Sequence, residues 1–209
     1  MKSFSLCFAL LLAISVQAEE RLVMVRVEQP VSAWNDSKIY QKLATSLTRD
    51  GNLQVVPATP VRNVDPAFPT DALDEQAIAD WARPYQAQYV VVVIVQSERL
   101  EKRKSFHIPL LFHKFETWGV IEGELRLIDV ARSKQVRAVP FMVEQVGPRA
   151  WQATMDDDIN DPDLRMTAPD KVQFFSRLED KLVTNLLEQI RGPLGRNDRE
   201  YVSQPQAKK

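Results

Sequence analysis

The chain is poor in the residues that staple a domain or ligate a metal. Of its 209 residues one is cysteine and two are histidine. The cysteine, Cys7, lies in an amino-terminal segment expected to be removed, so the processed chain has no disulfide and no thiolate for a metal, and its stability must come from packing. His107 and His113 stand in an apolar stretch, and a zinc site there would have to borrow carboxylates from elsewhere. They read as isolated surface histidines, and no metal and no cofactor is assigned. The six glycines are dispersed, which excludes a glycine-rich phosphate loop, and there is no nucleophile elbow. Neither sign of charge prevails. Lys and Arg number 27 against 28 Asp and Glu, a net charge of -1, so there is no basic footprint for nucleic acid.

Long hydrophobic runs are also missing, except at the start. Lys2, the apolar run Leu6 to Ile14, and the small residues Val16 and Ala18 before Glu19 follow the charged, apolar, small-residue order of a secretory signal peptide. The run is too short to span a bilayer. Glu19 and Glu20 follow at once with no basic stop-transfer flank, so cleavage after Ala18 is expected and a membrane anchor is not. Phe4-Ser5-Leu6 lack the small residues that a lipidation site at Cys7 needs, which favours a soluble periplasmic product. What remains is 191 residues (209 minus 18) with a net charge of -2 once Lys2 is gone. That is one domain, large enough to bury a sizeable core.

The periodicities then order the elements. Arg21 to Val27 reads as a strand closed by Pro30. Ile39, Leu43 and Leu47, with Tyr40 and Ala44 beside them, predict a helix stopped by Asp50-Gly51. Leu53 to Val56 is a short strand ended by Pro57. The segment 58–70, with Pro60, Pro66 and Pro69, is a loop. Asp71 is placed to cap a short helix whose apolar stripe is Leu73, Ala77, Ile78 and Trp81, ending before Pro84. Tyr89 to Val95, apolar throughout, predicts the central strand, covered on both faces and continuing as the polar stretch Gln96 to Lys104 beyond the helix layer.

Strands are expected at about Glu116 to Asp129 and Gln135 to Val146, joined by a short hairpin. On the first, Ile121, Leu125 and Leu127 share a face with Gly119 and Gly123, while Glu122, Glu124 and Arg126 share the other, wet face. After an acidic irregular stretch, Pro169-Asp170 opens the longest helix, with Phe175, Leu178, Leu182, Leu186 and Ile190 on one side and Gly192-Pro193 as the stop. The fold class is therefore α/β (α+β), a mixed sheet of about five strands in the order β-α-β-α-β-β-β-α with helices packed on it. A single domain over 19–195 and a polar disordered tail over 196–209 are expected.

Three local patterns carry a resemblance. They are the opening strand and helix leading to Gly51-Asn52-Leu53-Gln54-Val55-Val56-Pro57; Ala77-Ile78-Ala79-Asp80-Trp81-Ala82 running into Ala87-Gln88-Tyr89-Val90-Val91-Val92; and Gly123-Glu124-Leu125-Arg126-Leu127-Ile128-Asp129-Val130 with a further strand after a short loop. In these the chain resembles the α/β module shared by the curli secretion-channel subunit, the lipoprotein activators of penicillin-binding proteins and the amino-terminal domain of the Tol-Pal β-propeller protein. The resemblance implies an envelope protein that binds other proteins. It brings no set of functional residues with it.

Other candidates for chemistry have plainer readings. Asp156, Asp158 and Asn160 begin like a calcium loop, but Asp161 stands where that loop needs glycine and Thr167 where it needs a bidentate glutamate. Glu122 and Glu124 resemble paired catalytic acids, but charges on the wet face of a sheet are ordinary and Arg126 is beside them to neutralise the pair. Trp34, Trp81, Trp118 and Trp151 are scattered over different elements and read as packing residues. No catalytic residue is assigned.

The most unusual stretch is Ser105 to Phe115, read as a loop. It gathers Phe106, Ile108, Leu110, Leu111, Phe112 and Phe115, flanked by Lys102, Arg103, Lys104 and Lys114. Two roles are open to it, folding back over the domain's own core or meeting a partner or bilayer surface, for which the basic flanks suit anionic headgroups. The function expected is that of an exported periplasmic, non-enzymatic protein-binding or envelope-assembly factor whose partners are envelope proteins, with peripheral membrane contact as an addition. An enzyme acting on an envelope polymer is the alternative.

Overall fold

The computed structural model describes residues 21–29, 37–49, 53–56, 74–108, 112–153 and 166–195, and of 104–108, 112–115 and 148–153 it describes the backbone. The signal segment, the tail, Trp34, Asp71, Leu73 and the calcium-like acidic run lie outside those residues. So do Leu110 and Leu111.

The elements follow the expected order: β1 (Arg21–Glu28), α1 (Ile39–Arg49), β2 (Leu53–Val56), α2 (Glu75–Ala82) with a 3-10 turn at Arg83–Tyr85, β3 (Tyr89–Ile108), β4 (Phe112–Asp129), β5 (Lys134–Ala153) and α3 (Ala168–Gly195). They form one five-stranded sheet ordered β2-β1-β3-β4-β5. The three strands that alternate with helices pair in parallel, β1 with both β2 and β3, and the two hairpins add β4 and β5 antiparallel. The fold is thus the mixed α+β sheet that the periodicities require, with β3 at its centre.

The continuous apolar run of β3 has a use for both of its faces. Val91, Val93 and Val95 pack with Val23, Val25, Leu43, Leu125, Leu178 and Leu182 under α1 and α3. Val90 and Val92 pack with Met24, Ile78, Trp81 and Ile128 under α2. Two glycines on the α3 side make room. A Cβ at Gly119 would lie 2.5 Å from the Phe174 ring, and one at Gly123 would meet the Ile94 carbonyl and lie 2.7 Å from the Phe141 ring.

Four boundaries differ from the sequence reading. The cap of α2 is Asp74, whose Oδ1 accepts the Ala77 N–H at 2.9 Å, so the helix starts later than Asp71 would have it. Helix α3 runs through Gly192-Pro193 to Gly195. Burial of Leu194 against the core holds that last turn, and the Arg21 guanidinium donates to the Leu194 carbonyl, a cation where the helix end needs one. The irregular stretch expected after Gly147 begins later, because β5 stays paired with β4 as far as Ala153.

The fourth correction concerns the supposed loop 105–115. Its described residues are strand: β3 continues to Ile108 and β4 begins at Phe112, with Ile108 opposite Phe112 and His107 opposite His113. Register shifts between Val95 and Ser97 and between Lys104 and Phe106 explain why the alternation was illegible. Each inserts one residue, so the residues on a given face change from even to odd numbers and back again.

Candidate functional site

Past the helices the three antiparallel strands continue as a ribbon. Phe174 near the start of α3 reaches Gly119 and Gly147, and β3 and β4 remain paired from there out to Ile108 and Phe112. At the usual rise per residue that is about 23 Å of ribbon. The free edge of β5 is interrupted by Pro140 and Pro148 and by register shifts on its pairing with β4, which disfavours strand addition there and leaves the faces as the usable surface.

One face carries a lattice of arginines and glutamates across all three strands. Register places Ser97, Arg99, Glu101 and Arg103 of β3 on the same side as Trp118, Val120, Glu122 and Glu124 of β4 and Met142 and Glu144 of β5. Arg99 bonds Ser97 Oγ at 2.8 Å and Glu101 Oε1 at 2.8 Å and pairs with Glu122 at 2.7 Å. Arg103 takes the other oxygen of Glu101 at 2.7 Å and forks onto Glu144 at 2.6 and 3.3 Å. Its guanidinium also lies 4.5 Å from the centroid of the Trp118 ring, a cation–π stack. Val120, opposite Arg99 and Glu144 in register, is completely buried, while Met142 is 57% exposed.

The electrostatics follow from these contacts. Hydrogen bonds from Arg103 and then Arg99 hold the Glu101 carboxyl below the usual range, and the fork from Arg103 does the same for Glu144. Bonds to Glu122 and then Glu101 raise the Arg99 guanidinium, and bonds to Glu144 and then Glu101 raise that of Arg103, so both stay charged. Glu122 and Glu124, imagined as a pair of catalytic acids, have separate partners: Arg126 bonds Glu124 at 3.0 Å, and Glu122 belongs to Arg99. Arg126 neutralises one of the two, not both.

A second polar group sits on the opposite face, where the register shift after Val95 carries Glu98 over to the helix side beside Ile121. Burial and then the negative charge of Glu179 push the Glu98 carboxyl up to about 7. No donor among the described residues reaches Glu98 Oε1. Glu179 on α3 is buried but well held, by Lys42 at 3.0 Å and by the Lys38 backbone N–H at 3.1 Å. Lys42 also reaches Asp180 at 2.8 Å and the Ser176 carbonyl at 2.7 Å. Burial alone would lower its ammonium, but bonds to Asp180 and Glu179 outweigh it and leave it raised. The cluster ties α1 to α3 at the root of the ribbon. A cavity of about 700 Å³ adjoins it, lined by Lys38, Val172, Gln173, Ser176 and Glu179 among others.

The residues singled out in the sequence are therefore distributed, not gathered. In the backbone register Lys104 stands opposite Phe115, Phe106 opposite Lys114 and Ile108 opposite Phe112. Arg103 is committed to two glutamates. Trp81 is on the buried face of α2, Trp118 stacks in the lattice, and Trp151 stands opposite Lys114 on β5. Neither Glu98 nor the joined Arg99–Glu101–Arg103–Glu144 chain was foreseen. The alternation of charges at 98–104 was the available signal, and the bulge hid which of them face the helices.

No group of three or more metal-ligating side chains occurs among the described residues, and none of their helices is long and apolar enough to cross a membrane. No protein-family model matches the chain, and no curated protein matches it. Several solved structures align with it loosely. A minor lipoprotein from Acinetobacter baumannii aligns at 10% identity and TM-score 0.43, covering 83% of this chain and 92% of that one. The rare lipoprotein B from Shewanella oneidensis aligns at 13% identity and TM-score 0.36, covering 83% and 96%. TolB from Acinetobacter baumannii aligns at 17% identity and TM-score 0.32, covering 59% of this chain and 23% of that one. These are likenesses of chain path to bacterial lipoproteins and to TolB.

Proposed function

We propose that this protein is an exported, non-enzymatic envelope protein that binds another envelope protein through the ribbon formed by β3, β4 and β5. The observation that carries the reading is the continuation of strand pairing from Gly119 out to Phe112, past the Phe174 contact. A three-stranded extension contributes little to a core that lies under the helices, and an apolar tip on it is costly to leave in water. The signal-peptide pattern at 1–18 supports export to the periplasm. The narrower kinship with the curli-channel, penicillin-binding-protein-activator and Tol-Pal modules is part of the proposal, supported by the sequence patterns quoted for it.

A protein partner is favoured over a bilayer because Arg103, one of the cations beside the apolar stretch, is neutralised by Glu101 and Glu144. The enzyme alternative has one observation behind it, the raised Glu98 carboxyl, since shifted acids collect at active sites. However, Glu98 is not among the described residues lining the neighbouring cavity, so it is not offered to a substrate there. The test compares the chain starting at Glu19 with its Leu111→Ser/Phe112→Ser variant in co-purification from cell envelopes and in flotation with anionic liposomes. Loss of a reproducible protein partner with the unfolding midpoint kept is expected. Flotation abolished by the variant would replace the protein partner with a membrane, and strong destabilisation with partners retained would make the tip part of the core.

A further inference from the structure

The end of the sheet away from the ribbon holds a cleft of about 400 Å³ between the starts of β1 and β3 and the β4–β5 turn, lined by Arg21, Arg83, Gln86, Gln88, Asp129 and Arg132 among others. Three arginines line it with one acidic residue, Asp129, whose carboxylate is occupied. Asp129 is buried, accepts the Arg132 backbone N–H at 3.0 Å and lies 3.6 Å from the Arg132 guanidinium.

The arginines are anchored in place but not used up. Arg21 donates one N–H to the Leu194 carbonyl. Arg83 is paired with Asp80 through Nη1 and donates from Nη2 to Ser133 Oγ at 2.8 Å. A guanidinium has five donors in a planar fork that matches a phosphate or carboxylate edge, so each retains N–H groups beyond these contacts with the described residues.

Backbone strain collects at the same place. Among the described residues the non-glycine residues with positive φ are Gln86 at 58° and Ser133 at 49°. Gln86 lines the cleft, and Ser133 is the residue that holds Arg83. Unfavourable backbone of this kind persists where the surroundings fix it, and it concentrates at ligand clamps. Here the fixing bonds are Gln86 N–H to the Arg83 carbonyl at 2.9 Å, Gln88 N–H to the Leu22 carbonyl at 2.9 Å and Val130 N–H to the Gln88 carbonyl at 3.0 Å.

From this we infer that the cleft is a binding site for an oxyanion, a phosphate or carboxylate group of a small molecule or a chain terminus, held by Arg21, Arg83 and Arg132. Its size admits such a group and not the body of a polymer. The site is independent of the ribbon, which leaves the sheet at its other end.

The chain starting at Glu19 is titrated in parallel with inorganic phosphate, with an N-acetylated alanine dipeptide bearing a free carboxylate, and with the same dipeptide amidated, while backbone amide shifts are followed by NMR. Shifts confined to Gln86, Gln88 and 129–132 are expected with phosphate, the free dipeptide or both, and the responding probe names the source. Arg83→Gln and Arg132→Gln should each weaken binding about tenfold, the loss of one charge-assisted contact, and Arg177→Gln on the exposed side of α3 should not. Three outcomes overturn the inference: no localised shift with either anion up to about 10 mM, where even a millimolar site is mostly filled; an equal response to the amidated dipeptide; or affinity unchanged in both cleft variants with their spectra otherwise native.

Discussion

The same three strands live in two environments. From Tyr89 to Val95, and across β4 from Leu125 to Ile128, they are covered by helices and nearly every side chain is buried. From Ser97 outward the neighbouring strands give them backbone partners but the described residues bring no helix to the lattice face, where Val120 is buried with Arg99 and Glu144 opposite it in register. The difference teaches that this protein's stability and its proposed contact surface are separable, because apolar burial drives the first while surface ion pairs add little to it. The bulge after Val95 is the point of change. It frees Ser97 and Arg99 to the lattice and sends Glu98 inward.

The largest effect expected is in the covered half. Leu182→Ala or Leu186→Ala removes a fully buried side chain from the only apolar stripe of α3 and should cost about 2–5 kcal/mol in chemical denaturation; an unchanged midpoint in both would dissolve the distinction between the halves. Next is the joint between them. Lys42→Met leaves the buried Glu179 carboxylate without its ammonium and should cost about 2–4 kcal/mol, with amide exchange accelerating at the start of α1.

Glu98 gives the joint a pH dependence. Its folded value of about 7 lies above the ordinary 4.5, so between these values the native state binds the proton more tightly than the unfolded chain. The associated stability is complete below about pH 4.5 and is lost as pH rises through 7. Glu98→Gln should flatten that slope and leave the variant about 1–2 kcal/mol more stable than the parent at pH 8, after allowance for solvent screening. A parallel pair of stability–pH curves would remove Glu98 from the account.

The smallest effect belongs to the lattice. Arg103→Ala should barely move the unfolding midpoint, yet amide exchange should rise at 98–104 and 142–146, and added salt should produce the same rise in the parent. A midpoint lowered as far as by Leu182→Ala would show that the ribbon is structural after all.

Much of the covered half was legible because its side-chain spacing is uninterrupted. Ile39, Leu43 and Leu47 recur at helical intervals, the valines of β3 form one run, and Gly119, Ile121, Gly123, Leu125 and Leu127 keep one face of β4 throughout. The ribbon was illegible for a matching reason. Two register shifts in β3 break its period, so Phe106 and Ile108 looked like loop residues and the cations 102–104 like one cluster. The cleft left no sequence signal, since Arg21, Arg83 and Arg132 are far apart in the chain.

The sequence by itself determined the order of elements, the parallel and antiparallel pairings and the buried stripe of α3, since each follows from local spacing or composition. Tertiary structure alone decided where α3 ends, which carboxylate turns inward and which arginine answers which glutamate. A bulge, a helix end packed on a distant strand and a salt bridge between strands depend on neighbours that no local window contains.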